Sequence, residues 1–407
     1  MFKGRMFHLI NSRIHRIYLL CVYIAFVGAN VKTCSSLSRL PVTENSKLKG
    51  AVIESFTTTG LASCAKECLL RSMCRSYNFQ LDDGTCELSN EDGPTTDGSI
   101  STETVPRIVF SESKAWSQRI LGGCKDHSCP NNTLCAETEE DGYECILAYC
   151  RDPPTVENVA PSIIRHFTPI NQSLALKCKV GYVPCGNMTC NPDGTWTTMT
   201  CMPVSNCTEV RQLSSTYTDG EYWLYPRQLS GVRVKVYCHA MNSTPSEYIS
   251  LPTPYFMDSP RVQNYLCNGE SPTAHAYLGY YVFTKFGLNI ETMEIEKSDR
   301  VFYNMTSTLN VKVGEVRDCY TESGKPCGPK ARAVMDLRGT GLALNETVKW
   351  WHYTKEPIVT RSSNDQLIEV RCGGWCGGCQ ITGPALLSVV DSDGPLETTA
   401  FTPSCDV

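Results

Sequence analysis

The densest group of chemistry-bearing side chains in this 407-residue chain is the run Cys372-Gly373-Gly374-Trp375-Cys376-Gly377-Gly378-Cys379. Cys376 and Cys379 have the spacing of a structural zinc site, Cys372 would be a third ligand, and His352 or His239 could complete the tetrahedron that zinc requires. The competing chemistry is oxidation. In a chain with 24 cysteines, thiols set among glycines bridge to distant partners such as Cys319 and Cys327, and Gly373, Gly374, Gly377 and Gly378 would let the backbone pass closely between crossing bridges. Oxidation is the reading taken here, with no cofactor expected. Zinc at Cys372, Cys376 and Cys379 is kept as the alternative.

No other residues assemble a catalyst. A zinc peptidase needs His-Glu-x-x-His, two ligands one helical turn apart with a general base between them, and no histidine of this chain is followed by glutamate. Beyond residue 29 the histidines are His127, His166, His239, His275 and His352, all isolated in sequence. There is no Gly-x-Ser-x-Gly elbow, and a nucleophilic cysteine would compete with disulfide formation. Gly339-Thr340-Gly341 lacks the third glycine of a dinucleotide loop, Leu344 standing there, and reads as a tight turn between strands. The expectation is a non-enzyme.

The compartment is written at the N-terminus. Lys3, Arg5, Arg13 and Arg16 precede an apolar run from Ile17 to Gly28, and the small residues Val27 and Ala29 mark a cut after Ala29. The run is shorter than the ~20 apolar residues that a membrane span needs. Residues 1–29 therefore read as a cleaved secretory signal, with a signal anchor as the rival. No second span, lipid-anchor tail or retention signal follows, so the mature chain is expected to be secreted, without a membrane span. Loss of the signal takes the net charge from −5 to −9, which disfavours nucleic acid, heparin-like polymers and anionic lipid as partners. It also leaves 23 cysteines, an odd number, in an oxidising compartment.

These cysteines fall into groups. Cys64 and Cys68 share one face of a helical stretch from Ser63 to Arg71; Cys74 follows, then Arg75 to Phe79 alternates like a strand with Gly84 to Leu88 as hairpin partner. This resembles a PAN/apple module, which implies Cys64–Cys86 and Cys68–Cys74. Cys34 has no counterpart in that scheme. Cys124, Cys129, Cys135 and Cys145 resemble the front of an EGF-like module, implying Cys124–Cys135 and Cys129–Cys145, although Leu147 stands where a fifth cysteine belongs. Arg119 to Gly123 lack the acidic oxygens of a calcium site.

Cys150 with Pro153-Pro154, Cys178 with Gly181-Tyr182, and Cys190 ahead of Gly194-Thr195-Trp196 and Cys201 resemble a sushi module. That resemblance implies a small β-sandwich around a buried Trp196, with Cys150–Cys190 and Cys178–Cys201. Cys185 is left over and, with Cys34, is a candidate for the odd thiol; the two could also pair with each other.

From Cys207 onward the chain is strand-like. Val232 to Tyr237 alternates with period two, and so do stretches between Tyr280 and Ile295. The ordered motifs Asp219-Gly220-Glu221-Tyr222, Val234 to Cys238, Glu247 to Leu251, Gly279 to Phe286, Asp318-Cys319-Tyr320, Leu337 to Leu342 and the final cysteine-glycine run resemble a GON domain, the module that ends some secreted ADAMTS metalloproteases.

The expected fold is therefore multidomain and β-rich. Small disulfide-rich modules, PAN-like at 34–116 (α+β), partial EGF-like at 124–149 and sushi-like at 150–203, precede a larger mostly-β GON-like domain at 205–407. Sequons for N-glycosylation stand at Asn131, Asn171, Asn187, Asn206, Asn242, Asn304 and Asn345, with Asn206 hindered by Cys207. Of the aromatics Tyr222, Trp223, Tyr225, Tyr255, Phe256, Trp350, Trp351 and Tyr353, most read as core. Trp350 and Trp351 are the candidate binding residues, since strand alternation turns one of two neighbours outward. The function expected is a secreted, non-catalytic adhesion or matrix-interaction protein that binds an extracellular protein or glycan. The alternative is an accessory or regulatory relative of GON-bearing zinc metalloendopeptidases, with zinc in the GON-like domain.

Overall fold

The computed structural model describes residues 37, 40–139, 142–161, 166–259, 279–306, 310–318, 331–353, 356–373, 377–390, 395 and 397–405. The expectations for the signal and for Cys34, His275, Cys319, Cys327 and Cys376 lie outside these residues. The chain forms two compact units, the first from residues 1–154, 163–173 and 189–196, the second from 155–162, 174–188 and 197–407.

In the first unit β1 (Thr43–Lys49), β2 (Val52–Thr57), α1 (Leu61–Leu69), β3 (Ser76–Gln80), β4 (Thr85–Ser89) and β5 (Ser101–Glu112) follow in order. The strands make an antiparallel sheet in the order β1-β5-β3-β4-β2. The four-residue spacing of Cys64 and Cys68 puts both on the buried face of α1, where bridges to Cys86 and Cys74 staple the helix to the sheet. Tyr77, Leu88 and Val109 fill the core beneath. Asn78, also buried, serves as a strand surrogate: its carboxamide accepts from Leu48 N and donates to Leu48 O, both at 2.9 Å.

Next come β6 (Thr133–Glu137) and β7 (Tyr143–Leu147), a hairpin crossed by Cys124–Cys135 and Cys129–Cys145. This hairpin docks on the end of α1, where Cys135 N donates to Leu70 O at 3.0 Å and Ser72 Oγ to Cys129 O at 2.6 Å. β8 (Tyr149–Arg151) pairs with β9 (Phe167–Pro169), and Cys150 bridges to Cys190. Trp196 is half-buried rather than the core of a sandwich, because its indole N–H must reach an acceptor and finds Arg151 O at 2.9 Å.

The second unit contains β10 (Tyr182–Cys185) paired with β11 (Thr200–Pro203), then α2 (Cys207–Leu213) capped by the Asn206 side chain. β12 (Gly220–Leu224), β13 (Val234–His239), β14 (Ser246–Ser259), β15 (Gly279–Asn289), β16 (Glu294–Ile295) and β17 (Tyr303–Met305) follow. After them come β18 (Val316–Arg317), β19 (Ala331–Asp336), β20 (Leu342–Leu344), β21 (Lys349–His352), β22 (Ile358–Ser362), β23 (Leu367–Cys372), β24 (Gly378–Thr382) and β25 (Leu387–Val389).

The main sheet runs β12-β13-β14-β19-β23-β22. The long β14 pairs on one edge with β13 through its first half and with β19 through its second, while β15 follows its other edge and carries β16 and β17. Alternation writes this architecture: in β13 Val234, Val236 and Cys238 are buried while the residues between are not. Each such core aliphatic contributes about 1.5–3 kcal/mol by leaving water. The Gly339-Thr340-Gly341 stretch is a turn leading from β19 into β20, both glycines at φ 78°, with Thr340 Oγ1 donating to Leu337 O at 2.6 Å.

Candidate partner-binding face

The candidate binding residues lie on a three-stranded antiparallel sheet of the second unit, ordered β18-β24-β21. Its register pairs Arg317 with Gly378, Trp351 with Gln380, Trp350 with Ile381 and Lys349 with Thr382. Because side chains alternate across a strand, Val316, Cys379, Ile381 and Trp350 face the core, and Arg317, Gly378, Gln380 and Trp351 share the opposite face.

The two adjacent tryptophans therefore have different fates. Trp350 packs against the core under the Arg361 guanidinium, whose Cζ stands 5.8 Å from the ring centroid. Among the described residues its buried Nε1 has no hydrogen-bond partner. Trp351 is 48% exposed and meets Tyr353, 47% exposed, edge to face at a centroid distance of 4.4 Å. Arg317 Cζ lies 5.3 Å from the Tyr353 centroid, and its Nη2 donates to the phenol oxygen at 3.3 Å. Nε of Arg317 is held at 2.7 Å by the buried carboxylate of Glu315.

Gly378 is required here: a Cβ would lie 2.6 Å from Val316 O and 2.8 Å from Arg317 Cγ, so the glycine lets the arginine stem lie across the sheet. Gly373, at φ 109°, allows the buried Asp318 carboxylate to press against the backbone. The face offers flat π surfaces beside a guanidinium. Its described residues include neither a nucleophile with a base nor a set of metal ligands; the face can stack on the C–H face of a sugar ring or on apolar side chains and donate to polar groups beside them.

The other site residues are placed as follows. Cys64–Cys86, Cys68–Cys74, Cys124–Cys135, Cys129–Cys145, Cys150–Cys190 and Cys178–Cys201 are joined, the pairs that the resemblances imply. Cys207 pairs with Cys238. Cys185 is not an odd thiol: it is bonded to Cys405, a partner outside the sushi segment that no local spacing could suggest. Among the described residues no cysteine is free.

Cys372 and Cys379 are joined to each other rather than to a distant cysteine. Their Cα atoms are 5.7 Å apart. His127, Cys129 and Cys135 also converge within ligand range, but both sulfurs are committed to disulfides. The histidine ring has Leu69 O within 3.0 Å. His239 and His166 are paired with Asp219 and Asp152 at 2.7 and 2.9 Å.

Asn131, Asn171, Asn187, Asn242 and Asn304 are exposed, whereas Asn206 and Asn345 are half-buried. Asn206 Oδ1 accepts from Glu209 N at 2.9 Å, and Asn345 Nδ2 donates to Ser388 Oγ at 2.8 Å. Of the aromatics, Tyr222, Trp223 and Tyr255 are buried and Phe256 is exposed. Sequence reasoning passed over Arg317, since only the fold brings it beside a ring 36 residues away.

Fold and site together define a class: a disulfide-braced, β-rich chain of extracellular-type modules with a large terminal β domain. Family models match it as a PAN domain over residues 40–113, a Sushi repeat (SCR repeat) over 150–207 and a GON domain over 204–390. Among curated proteins the GON region is similar to "A disintegrin and metalloproteinase with thrombospondin motifs 20" of Mus musculus, 31% identical over 195 residues, covering 44% of this chain and 10% of that protein. The Homo sapiens counterpart is 30% identical over 196 residues with the same coverage. "A disintegrin and metalloproteinase with thrombospondin motifs gon-1" of Caenorhabditis elegans is 29% identical over 196 residues, covering 44% of this chain and 9% of its own length. The chain thus spans about a tenth of the relatives it matches. PAN, Sushi and GON domains and the disulfides point to an extracellular location. Among the described residues no helix is long and apolar enough to cross a membrane.

Proposed function

We propose that this chain is a secreted, non-catalytic adhesion or matrix-interaction protein that captures an extracellular protein or glycan through its GON domain. The observation that carries this reading is the exposed Trp351–Tyr353 pair with Arg317 over the tyrosine ring, set on a sheet whose other side is core. Exposed tryptophan, tyrosine and arginine are the residue types that dominate binding energy at interfaces. The relatives carry metalloproteinase in their names but match this chain in the GON region, and the chain has no His-Glu-x-x-His. The test is capture of extracellular-matrix components by the full secreted chain, compared with Trp351→Ala. Equal capture by both, or chelator-sensitive peptide cleavage by the wild type, refutes the reading.

A second reading is favoured by the confinement of the match to one domain of much longer proteins. A chain that keeps the GON domain without a protease competes for whatever the proteases' own GON domains engage, and so acts as their accessory or regulator. Titrating this chain into a binding assay of an isolated protease GON domain tests that reading; undiminished binding of the domain removes it.

A further inference from the structure

The outer face of the main sheet in the second unit carries an exposed aromatic pair that the binding face above does not use. Phe256 on β14 and Tyr280 on β15 stack at 6.0 Å with 28° between ring planes, and remain 40% and 41% exposed. Register shows what lies beside them. Phe256 stands opposite Val282 on one side and Val334 on the other, and Val282 in turn stands opposite Asn304 of β17. Thr306 continues β17 alongside Tyr280: its N–H donates to Tyr280 O, and Tyr280 N donates to Thr306 Oγ1, both at 3.1 Å.

Asn304-Met305-Thr306 is a sequon. Its Asn and Thr are two apart on a strand and so share a face with each other and with Tyr280, Val282 and Phe256. Tyr280 and Val282 are one strand away and Phe256 two, about 5 and 10 Å. The first sugars attached to Asn304 span that distance. Asn345 and Asn206 spend their carboxamides on Ser388 and on the helix cap, whereas the Asn304 carboxamide is exposed and makes no hydrogen bond among the described residues.

We infer that Asn304 is an occupied N-glycosylation site and that its glycan lies back across the Phe256–Tyr280 stack, so the occupant of this sheet face is the chain's own sugar. In the modification, Asn304 Nδ2 attacks the anomeric carbon of a lipid-linked diphospho-oligosaccharide. A C–N bond forms, the C–O bond to the diphosphate breaks, the diphosphate leaves with its electron pair and Nδ2 gives up one proton. The pyranose C–H face then covers the rings, which removes an apolar patch from water while keeping the surface soluble.

The test uses the full chain secreted from mammalian cells. Glycopeptide mapping is expected to find Asn304 occupied, and radical footprinting of the folded protein to find Phe256 and Tyr280 labelled less than exposures of 40% and 41% require. Endoglycosidase trimming of the folded protein should raise labelling at both rings and lower Tm by about 2–4 °C. In the Phe256→Ser, Tyr280→Ser double variant, trimming should leave Tm unchanged. An unmodified Asn304, labelling indifferent to trimming, or an equal Tm shift in the double variant overturns the proposal. So does protection of the rings by self-association that persists after trimming, which would make a second copy the occupant. If the double variant is not secreted, footprinting of the wild type decides.

Discussion

Cys185 and Cys405 are 220 residues apart in sequence and 5.2 Å apart at their Cα atoms, joined by a disulfide that ties the end of the chain to β10. A bridge closing a loop of this length removes much conformational freedom from the unfolded chain. The Cys185→Ser, Cys405→Ser double variant is expected to lose about 2–4 kcal/mol of stability in the second unit. Peptide mapping without reduction should recover the two cysteines in one linked fragment; a Cys185 peptide attached to any other cysteine contradicts the assignment.

Trp350 and Trp351 separate folding from recognition within one dipeptide. Trp350→Ala removes a ring packed on the core under Arg361 and should cost about 2–4 kcal/mol. Trp351→Ala, on the exposed face, should change stability by no more than about 0.5 kcal/mol while abolishing partner capture. Denaturant unfolding and a binding assay on the same samples make the comparison. Loss of stability from Trp351→Ala equal to that from Trp350→Ala would remove the distinction.

Glu247 offers a pH signature. Burial pushes its carboxyl above the ordinary range, although Cys207 N donates to it at 2.9 Å, and the nearby Glu291 charge adds to the rise. A carboxyl whose folded pKa is raised binds its proton more tightly in the folded state. Its contribution is therefore most favourable in acid, falls as pH rises through the unfolded value near ~4.3, and levels off above the folded value. Glu247→Gln keeps an acceptor for Cys207 and carries no charge. The variant should melt higher than wild type at pH 7, with the gap closing below about pH 4. A gap that widens in acid contradicts this sign.

Arg71 is buried in the first unit beside three partners. It donates through Nε to the Tyr149 oxygen at 2.5 Å, pairs with Glu67 at 2.7 Å and stands 3.3 Å from Glu54. Burial works to lower its pKa, but Tyr149, Glu67 and Glu54 outweigh that and raise it. Tyr149→Phe leaves the guanidinium short of one acceptor and should destabilise the unit by about 1–3 kcal/mol. Thermal melts with Arg71→Met alongside separate the hydrogen bond from the charge: an unchanged Tm for Tyr149→Phe would show that the phenol is dispensable.

What the sequence disclosed was local. Cys64 and Cys68 could be put on one helix face, and Arg75–Phe79 paired with Gly84–Leu88, one residue ahead of the strands Ser76–Gln80 and Thr85–Ser89, because spacing within a few residues encodes both. Helix α1 begins at Leu61 and ends at Leu69, two residues ahead of the expected stretch at each end, and Arg71 has already turned toward Tyr149. Long-range relations left no such trace. Nothing near Cys185 announces Cys405, and nothing near Arg317 announces Tyr353. Cys372–Cys379 failed for the opposite reason: the bridge joins cysteines only 7 residues apart, more local than the distant partners the reading favoured. Alternation did indicate that one of two adjacent tryptophans faces outward; only the register of β21 against β24 decides that it is Trp351.

The cluster around Arg71 also bears on inheritance. Modules strung along a chain are often treated as interchangeable cassettes, yet here the groups that meet one buried cation, two carboxylates and a phenol, come from β2, α1 and β8. A PAN domain excised at residue 113 would keep Glu54 and Glu67 and lose Tyr149, leaving Arg71 without one of its acceptors. Its boundary in folding terms lies beyond its boundary in sequence terms. Recombination at the shorter limit would hand a new host a module with one acceptor fewer for its buried arginine, and that favours transmission of a segment that extends through Tyr149.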